Sequence, residues 1–284
     1  TSGGGLRLER VEKREFAGDP ADDNALAQCA ASLKDIVSTI KAGGAKSTYV
    51  VSSFPVLMKF ASLPALDGEQ VDQIVEFEAQ QQVPYPINEV AWGYQLMGDP
   101  DDIEVEVVLA AIKAEELTEI DEIVSGSGLK SLGAEVAPIA LYNALRFNYS
   151  DTEGVGVLVD IGARTTDIIF MEDKKMFIRT VKIGGADISR SISKEFGVDY
   201  AAADYRKIAD GFVALGGAYA DHDDPEIAAI SKVVRNSLTR LHSEIMRTVN
   251  FYRSQQGGSA PTFVLLSGAT SGLPFIREFF AEKL

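Results

Sequence analysis

Asp160, Gly162, Ala163, Arg164, Thr165 and Thr166 fall within one short row, "DIGARTTD", between two apolar runs rich in β-branched residues. Gly162 and Ala163 add little bulk, so the backbone N–H groups of a turn built from them can approach an anion closely. Thr165 and Thr166 add hydroxyl donors and Arg164 adds a cation. Asp160 sits where the first strand ends. A carboxylate beside a phosphate is unfavourable unless a cation lies between them, which makes a hydrated Mg²⁺ its natural intermediary. The competing reading is a plain hairpin turn with a locally satisfied aspartate.

Three other stretches repeat parts of this chemistry. In "VLLSGATSGLPFIREFF" a buried strand runs into Gly268, Ala269 and Thr270, whose small side chains let a flat or phosphorylated ligand lie against the backbone. Any junction of strand, glycine and helix gives a similar string. "KIGGADISRSIS" places Gly184 and Gly185 just before a helix. "AADYRK" sets Asp204 and Lys207 three apart on one helical face, suited either to a ribose and a base or to a surface ion pair.

The elements that must hold these turns are legible in the periodicity. Residues 22–41 have helical spacing with Gly43 and Gly44 after them, and "KSTYVVSSF" reads as a strand. "LRLERVEKREF" alternates and follows a glycine turn at Gly3–Gly5, which predicts the second half of a β-hairpin whose partner lies upstream. From Pro55 the pattern changes. "VLMKFASLP" is a strand, "DGEQVDQIVEFEAQQQV" a helix stopped by "PYP", and "VAWGYQLMG" and "VEVVLAAIK" a strand pair joined by the acidic turn "DPDDIE". "EELTEIDEIVSGSGL" is a helix ending at glycine, and "LGAEVAP" leads into the helix "IALYNALRF". Residues 56–132 thus form a small α+β unit set into a β-α-β core of residues 1–55. Residues 133–150 return to that core, and residues 151–284 form a second lobe. "PEIAAISKVVRNSLTRLHSEIMRTVNFYRSQ" is a long amphipathic helix whose apolar face is read as core packing.

A chain of 284 residues, 46% of them hydrophobic, can bury a sizeable core in two lobes. The net charge of −15 disfavours nucleic-acid binding. A single cysteine and two histidines exclude an intrachain disulfide and Cys- or His-rich metal sites. The apolar runs are too short for a membrane span and the N-terminus has no signal-peptide core. A reducing, cytoplasmic setting fits these facts.

The order of the motifs resembles the ATPases of the actin, sugar kinase and Hsp70 type, and more closely the FtsA and PilM families. "FEAQQQVPYPINEVAWGYQLMG", "SGSGLKSLGAEVAPIALYNALR", "VDIGARTTDI", "RTVKIGGADISRSIS" and "VLLSGATSGLPFIREFF" carry the resemblance over nearly the whole chain. It implies an α/β, actin-like two-lobed fold with two RNase H-like domains, residues 56–132 being the 1C insertion of the FtsA and PilM branch. It also implies that Asp160 orders Mg-bound water and that Gly162, Ala163, Arg164, Thr165 and Thr166 line the β- and γ-phosphates of ATP. Gly184, Gly185, Asp204 and Lys207 would approach the nucleoside. Gly268, Ala269 and Thr270 match the adenosine motif, with Ala269 where a second glycine is usual. The family's first phosphate loop precedes the residues shown, so this chain is expected to bind ATP poorly and to be at most a weak ATPase.

The same resemblance implies a type IV pilus or related secretion assembly protein. It would dock the cytoplasmic tail of a PilN-like inner-membrane protein between the 1A core and the 1C unit, meet the membrane only through that partner, and self-associate in some settings. Tyr85, Trp92 and Tyr94 are candidate contacts for the tail, or else core residues of the insertion. The alternatives are an FtsA-like division protein, a sugar or acetate kinase on the same scaffold, and a nucleotide-free scaffold.

Overall fold

The computed structural model describes residues 8–16, 18–64, 68–97, 104–149, 152–172, 175–215 and 222–283. The expected turns at Gly3–Gly5 and at "DPDDIE" lie outside the described residues, apart from Glu104. The central layer is a four-stranded sheet built from β6 (Gly156–Ile161), β7 (Thr166–Glu172), β8 (Lys175–Val181) and β9 (Phe263–Ser267), in the order β8-β7-β6-β9. β6 pairs antiparallel with β7 and parallel with β9. β6 and β7 carry the apolar runs Val157–Val159 and Ile168–Met171 because both faces of these two strands are covered. Val157, Val159, Ile161, Ile168 and Phe170 face one core, while Leu158, Ile169 and Met171 face the other.

The first of these cores is closed by α5 (Gly185–Phe196), α6 (Tyr200–Ala209), α7 (Pro225–Gln255) and α8 (Ile276–Lys283). α7 begins on Asp224, whose carboxylate accepts the Glu226 amide at 2.8 Å, with Pro225 in the first turn. Its stripe of Ile230, Val234, Leu238, Leu241, Ile245 and Tyr252 is buried, as the spacing predicts. Tyr252 stacks near Phe170 and donates its hydroxyl to Glu172 at 2.6 Å.

The second core joins that sheet to α4 (Ala137–Asn148) and to the parallel pair β1 (Lys46–Val51) and β5 (Lys130–Val136). α1 (Ala25–Ile40) precedes β1, and α3 (Ala114–Gly126) precedes β5. A separate antiparallel sheet, β2 (Leu57–Pro64), β4 (Glu104–Lys113) and β3 (Val90–Met97) in the order β2-β4-β3, lies between β1 and α3 in the chain. One face of it buries Leu63, Val107 and Leu109 under Val75 and Ala79 of α2 (Gly68–Gln82). The other face adds Met97, Val108 and Ile112 to the second core.

One expectation fails. Among the described residues, Leu8–Phe16 form no strand. Alternation makes a segment amphipathic, but a strand also needs a ladder of backbone partners. This segment is held instead by side chains: Arg14 bonds Asp35 at 2.6 Å and Thr39 at 3.3 Å on α1.

Candidate nucleotide turns and an apolar groove

The turn between β6 and β7 is fastened on three sides. The Gly162 amide donates to Thr165 O at 3.0 Å and closes the turn on itself. The Gly162 and Ala163 carbonyls accept the Gly185 and Ala186 amides, each at 2.9 Å, so the start of α5 is sealed against the turn. Asp187 completes that seal by accepting the Gly184 amide at 2.9 Å. On the third side, Thr270 reaches Gly162 O at 3.3 Å from the short 3-10 turn Ala269–Gly272.

These approaches account for the glycines. A Cβ on Gly184 would stand 2.4 Å from Ala163 O, and one on Gly268 would stand 2.3 Å from Ile161 O. Gly268 also has a positive φ of 83°. A Cβ on Gly185 would meet Thr270 Oγ1 at 2.4 Å. Glycine is therefore demanded here by backbone packing between loops, whether or not a nucleoside lies nearby. Ala269 is exposed, so its methyl crowds no buried neighbour.

The structure thus gathers the turn, the α5 start and the Gly268 loop at one end of the sheet. Within the turn the residues separate into two groups. Ala163 and Arg164 are exposed, while Asp160 and Gly162 are half-buried. The two threonines point inward. Thr166 is fully buried and donates to Ile183 O at 2.7 Å, which ties it to the next loop instead of to the open face. Thr165 is buried, with its Oγ1 3.2 Å from Ser53 Oγ. Lys207 and Asp204 form a partly buried ion pair, and both bond Ser189 on α5, Lys207 at 2.8 Å and Asp204 at 2.6 Å. Lys207 also reaches Gly185 O at 3.3 Å, so the pair clamps α6 onto α5.

Four further residues complete the cluster, and none of them is singled out for a role in the sequence. Asp167 lies across the ladder from Asp160 and is buried. Burial pushes its carboxyl above the usual aspartate range, with the Asp160 charge adding to the effect and hydrogen bonds from Thr180 and Ser53 opposing it. Ser53 comes from the connector after β1, 112 residues before Thr165. Asp19, ahead of α1, takes a two-pronged bond from Arg190 of α5, with both contacts at 2.7 Å. The Arg190 guanidinium holds the Asp19 carboxyl below its ordinary range.

The cluster has the donor types a Mg-nucleotide needs: an exposed arginine, a turn with little side-chain bulk and a half-buried carboxylate at the strand end. Among the described residues no three His, Cys, Asp or Glu side chains gather as a direct metal cage. The amides of Gly162, Gly184, Gly185 and Ala186 are already engaged within the protein, which leaves Ala163 and Arg164 as the exposed part of the turn.

A second feature lies between the small sheet and the β1–β5 pair. A cavity of about 320 Å³ is lined by Ala91–Gln95 of β3 and Ala134–Val136 of β5, with Val51, Val56, Ile112, Leu117 and Ile139 around it. Both strands stand at the edge of their sheets among the described residues. Consecutive residues of each border the cavity, so backbone as well as side chains faces it. Trp92 and Tyr94 also border it, but both pack on the α2 side against the Leu63–Val107–Leu109 core, and Tyr94 donates to Asp72. Tyr85 is exposed beneath Lys113.

The sequence pattern of a protein family described as "Type IV pilus assembly protein PilM" matches residues 1–284. Among solved structures, the chain is similar to one titled "PilM-PilN type IV pilus biogenesis complex", with a TM-score of 0.78 and 22% identity over 95% of this chain and 75% of that one. It is also similar to MreB5 of Spiroplasma citri bound to ADP, with a TM-score of 0.50 and 14% identity over 96% of this chain and 71% of that one. The fold is a mixed α/β fold of the actin-like kind.

Proposed function

The chain belongs to the type IV pilus assembly protein PilM family, and from that premise we propose that it is an actin-like assembly protein that docks the cytoplasmic tail of a PilN-type inner-membrane protein. The observation that carries this reading is the groove between β3 and β5. It has an apolar floor and two strand edges, the chemistry that captures an extended peptide by adding a strand and seating alternate side chains. On this reading residues 56–132, which hold the β2-β4-β3 sheet, α2 and α3, are the inserted 1C-like subdomain and supply one wall. No helix among the described residues is long and apolar enough to cross a membrane. The protein would work on the cytoplasmic side and meet the inner membrane through its partner.

Trp92 is the only tryptophan of the chain and borders the cavity, which makes it a reporter. A synthetic PilN tail peptide should shift its emission saturably with one site per chain. A titration with no saturable change, and no binding heat in a parallel calorimetric run, would remove the docking reading.

The turn cluster is the second part of the proposal. It would hold Mg-ATP, with Asp160 orienting metal-bound water, Ala163 and Arg164 facing the phosphates, and Thr165 bracing the turn from within through Ser53. Gly162, Thr166, Gly184, Gly185, Gly268 and Thr270 would fix the shape of the turn. Asp204 and Lys207 would brace α6 beside the nucleoside, with Ala269 at its edge. The bound nucleotide would act mainly by holding the lobes together. Calorimetry with Mg-ATP on the full-length protein tests it. Asp160→Ala should weaken binding about tenfold or more, as loss of a charged, hydrogen-bonding group costs about 1.5–3 kcal/mol. Equal affinity for both proteins would take Asp160 out of the site.

A further inference from the structure

The groove and the turn are joined by one short connector, the residues between β1 and β2. Val51, the last residue of β1, and Val56, the last of the connector, are buried and line the cavity. Its middle faces the opposite way. Ser53 is 3% exposed, and its Oγ lies 3.2 Å from Thr165 Oγ1. The ring of Phe54 lies against two cations of the turn region, 4.0 Å from Lys182 Nζ and 5.5 Å from the Arg164 guanidinium carbon. Two residues of this stretch therefore line the groove, and two others touch the turn.

The packing behind the connector is continuous as well. Val51 and Val56 belong to the same buried cluster as Leu158 and Ile169, which lie on the strands leading into and out of the turn. Protein interiors are close-packed, so displacing the groove floor must be answered along that cluster. Ser53 is where the answer becomes polar. Its hydroxyl meets that of Thr165, and a small shift of the connector would break or re-form that bond.

We infer that Ser53 and Phe54 are positioning residues that couple occupancy of the β3–β5 groove to the order of the Ala163–Thr166 turn. Filling the groove presses Val51 and Val56 into one position, which fixes Ser53 against Thr165 and Phe54 against Arg164. The turn is then held in a single arrangement for an anion. Coupling of this kind is reciprocal, so a ligand on the turn tightens the groove by the same factor. The inference rests on the docking reading above.

The test is amide hydrogen exchange across residues 163–166, measured with and without saturating PilN tail peptide and with no nucleotide present. In the wild-type protein the peptide should slow exchange of this turn by about fivefold or more, the lower end of common coupling strengths. In Ser53→Ala that slowing should largely vanish while the peptide still binds. Phe54→Leu, at a half-exposed position, should reduce it in the same direction and serves where Ser53→Ala disturbs folding. A wild-type turn unmoved by bound peptide overturns the inference, and so does undiminished slowing in both variants. Absence of peptide binding, read separately by calorimetry, overturns the docking reading and this inference together.

Discussion

Asp167 shows what a single side chain contributes to the turn. Its carboxyl is buried opposite Asp160 and its proton affinity is raised, chiefly by burial. A carboxyl that binds its proton more tightly in the folded state costs stability once it ionises. That cost is absent below the ordinary aspartate value of 3.8 and grows as pH rises through the folded value. Asp167→Asn keeps an acceptor for Thr180, which donates at 2.6 Å, and removes the charge. Its melting temperature should exceed that of the wild type near pH 7, with the gap closing as pH falls towards about 4. Melting curves across that range check the sign; a gap that widens on acidification would contradict it. Gly184→Ala should act through sterics alone. The added methyl meets three backbone atoms within 2.8 Å, so a loss of about 1–3 kcal/mol in denaturant unfolding is expected. The glycines, the acidic strand end and the Asp204–Lys207 pair are legible in the sequence because each has a local spacing. Ser53, Asp19 and Asp167's role are not. Ser53 reaches Thr165 across 112 residues and Asp19 reaches Arg190 across 171, and no local pattern encodes such pairs. The inward turn of Thr166 escapes for a related reason, because its partner, Ile183 O, belongs to a separate loop.

At the scale of elements, periodicity reads best where one face is buried against a partner within the chain. The stripe on α7 is such a case. Leu241 is 1% exposed in its middle, and Leu241→Ala should cost about 2–5 kcal/mol in equilibrium unfolding, the range for emptying a buried leucine site. A loss under about 1 kcal/mol would mean that the helix is not packed as described. The inner strands β6 and β7 of the central sheet are equally plain, since burial on both faces gives apolar runs. Leu8–Phe16 show the limit. Their alternation is real, yet alternation marks a face and not a partner, and here side-chain bonds to α1 take the place of a ladder. Trp92 and Tyr94 show a second limit. On a strand whose two faces are both covered, type and spacing leave open which face meets a groove, and only the position of α2 assigns the rings to the Leu63 core.

For the molecule as a whole, contacts between distant segments set the arrangement. Asp19 and Arg190 tie the segment before α1 to α5, and Ser53 ties the β1–β2 connector to the turn. The Asp19 carboxyl is held below its ordinary range, so this tie stabilises above that range and is lost as pH falls through the folded value, opposite in sign to Asp167. The strand and helix order of an actin-like chain is readable from the sequence. The cavity is not, because it forms where residues from β1, β3, β4, β5, α3 and α4 converge. The central claim is that this cavity receives the tail of a PilN-type protein, and one residue offers a direct test. Gly93 borders the cavity, and a Cβ placed on it meets nothing within 4 Å. Gly93→Phe should therefore fill the groove without straining the backbone. Calorimetric titration of the PilN tail into wild-type and Gly93→Phe protein should show an affinity lower in the variant by tenfold or more, about 1.4 kcal/mol, at an unchanged melting temperature. Equal affinity for a folded Gly93→Phe protein would place the tail elsewhere and contradict the account.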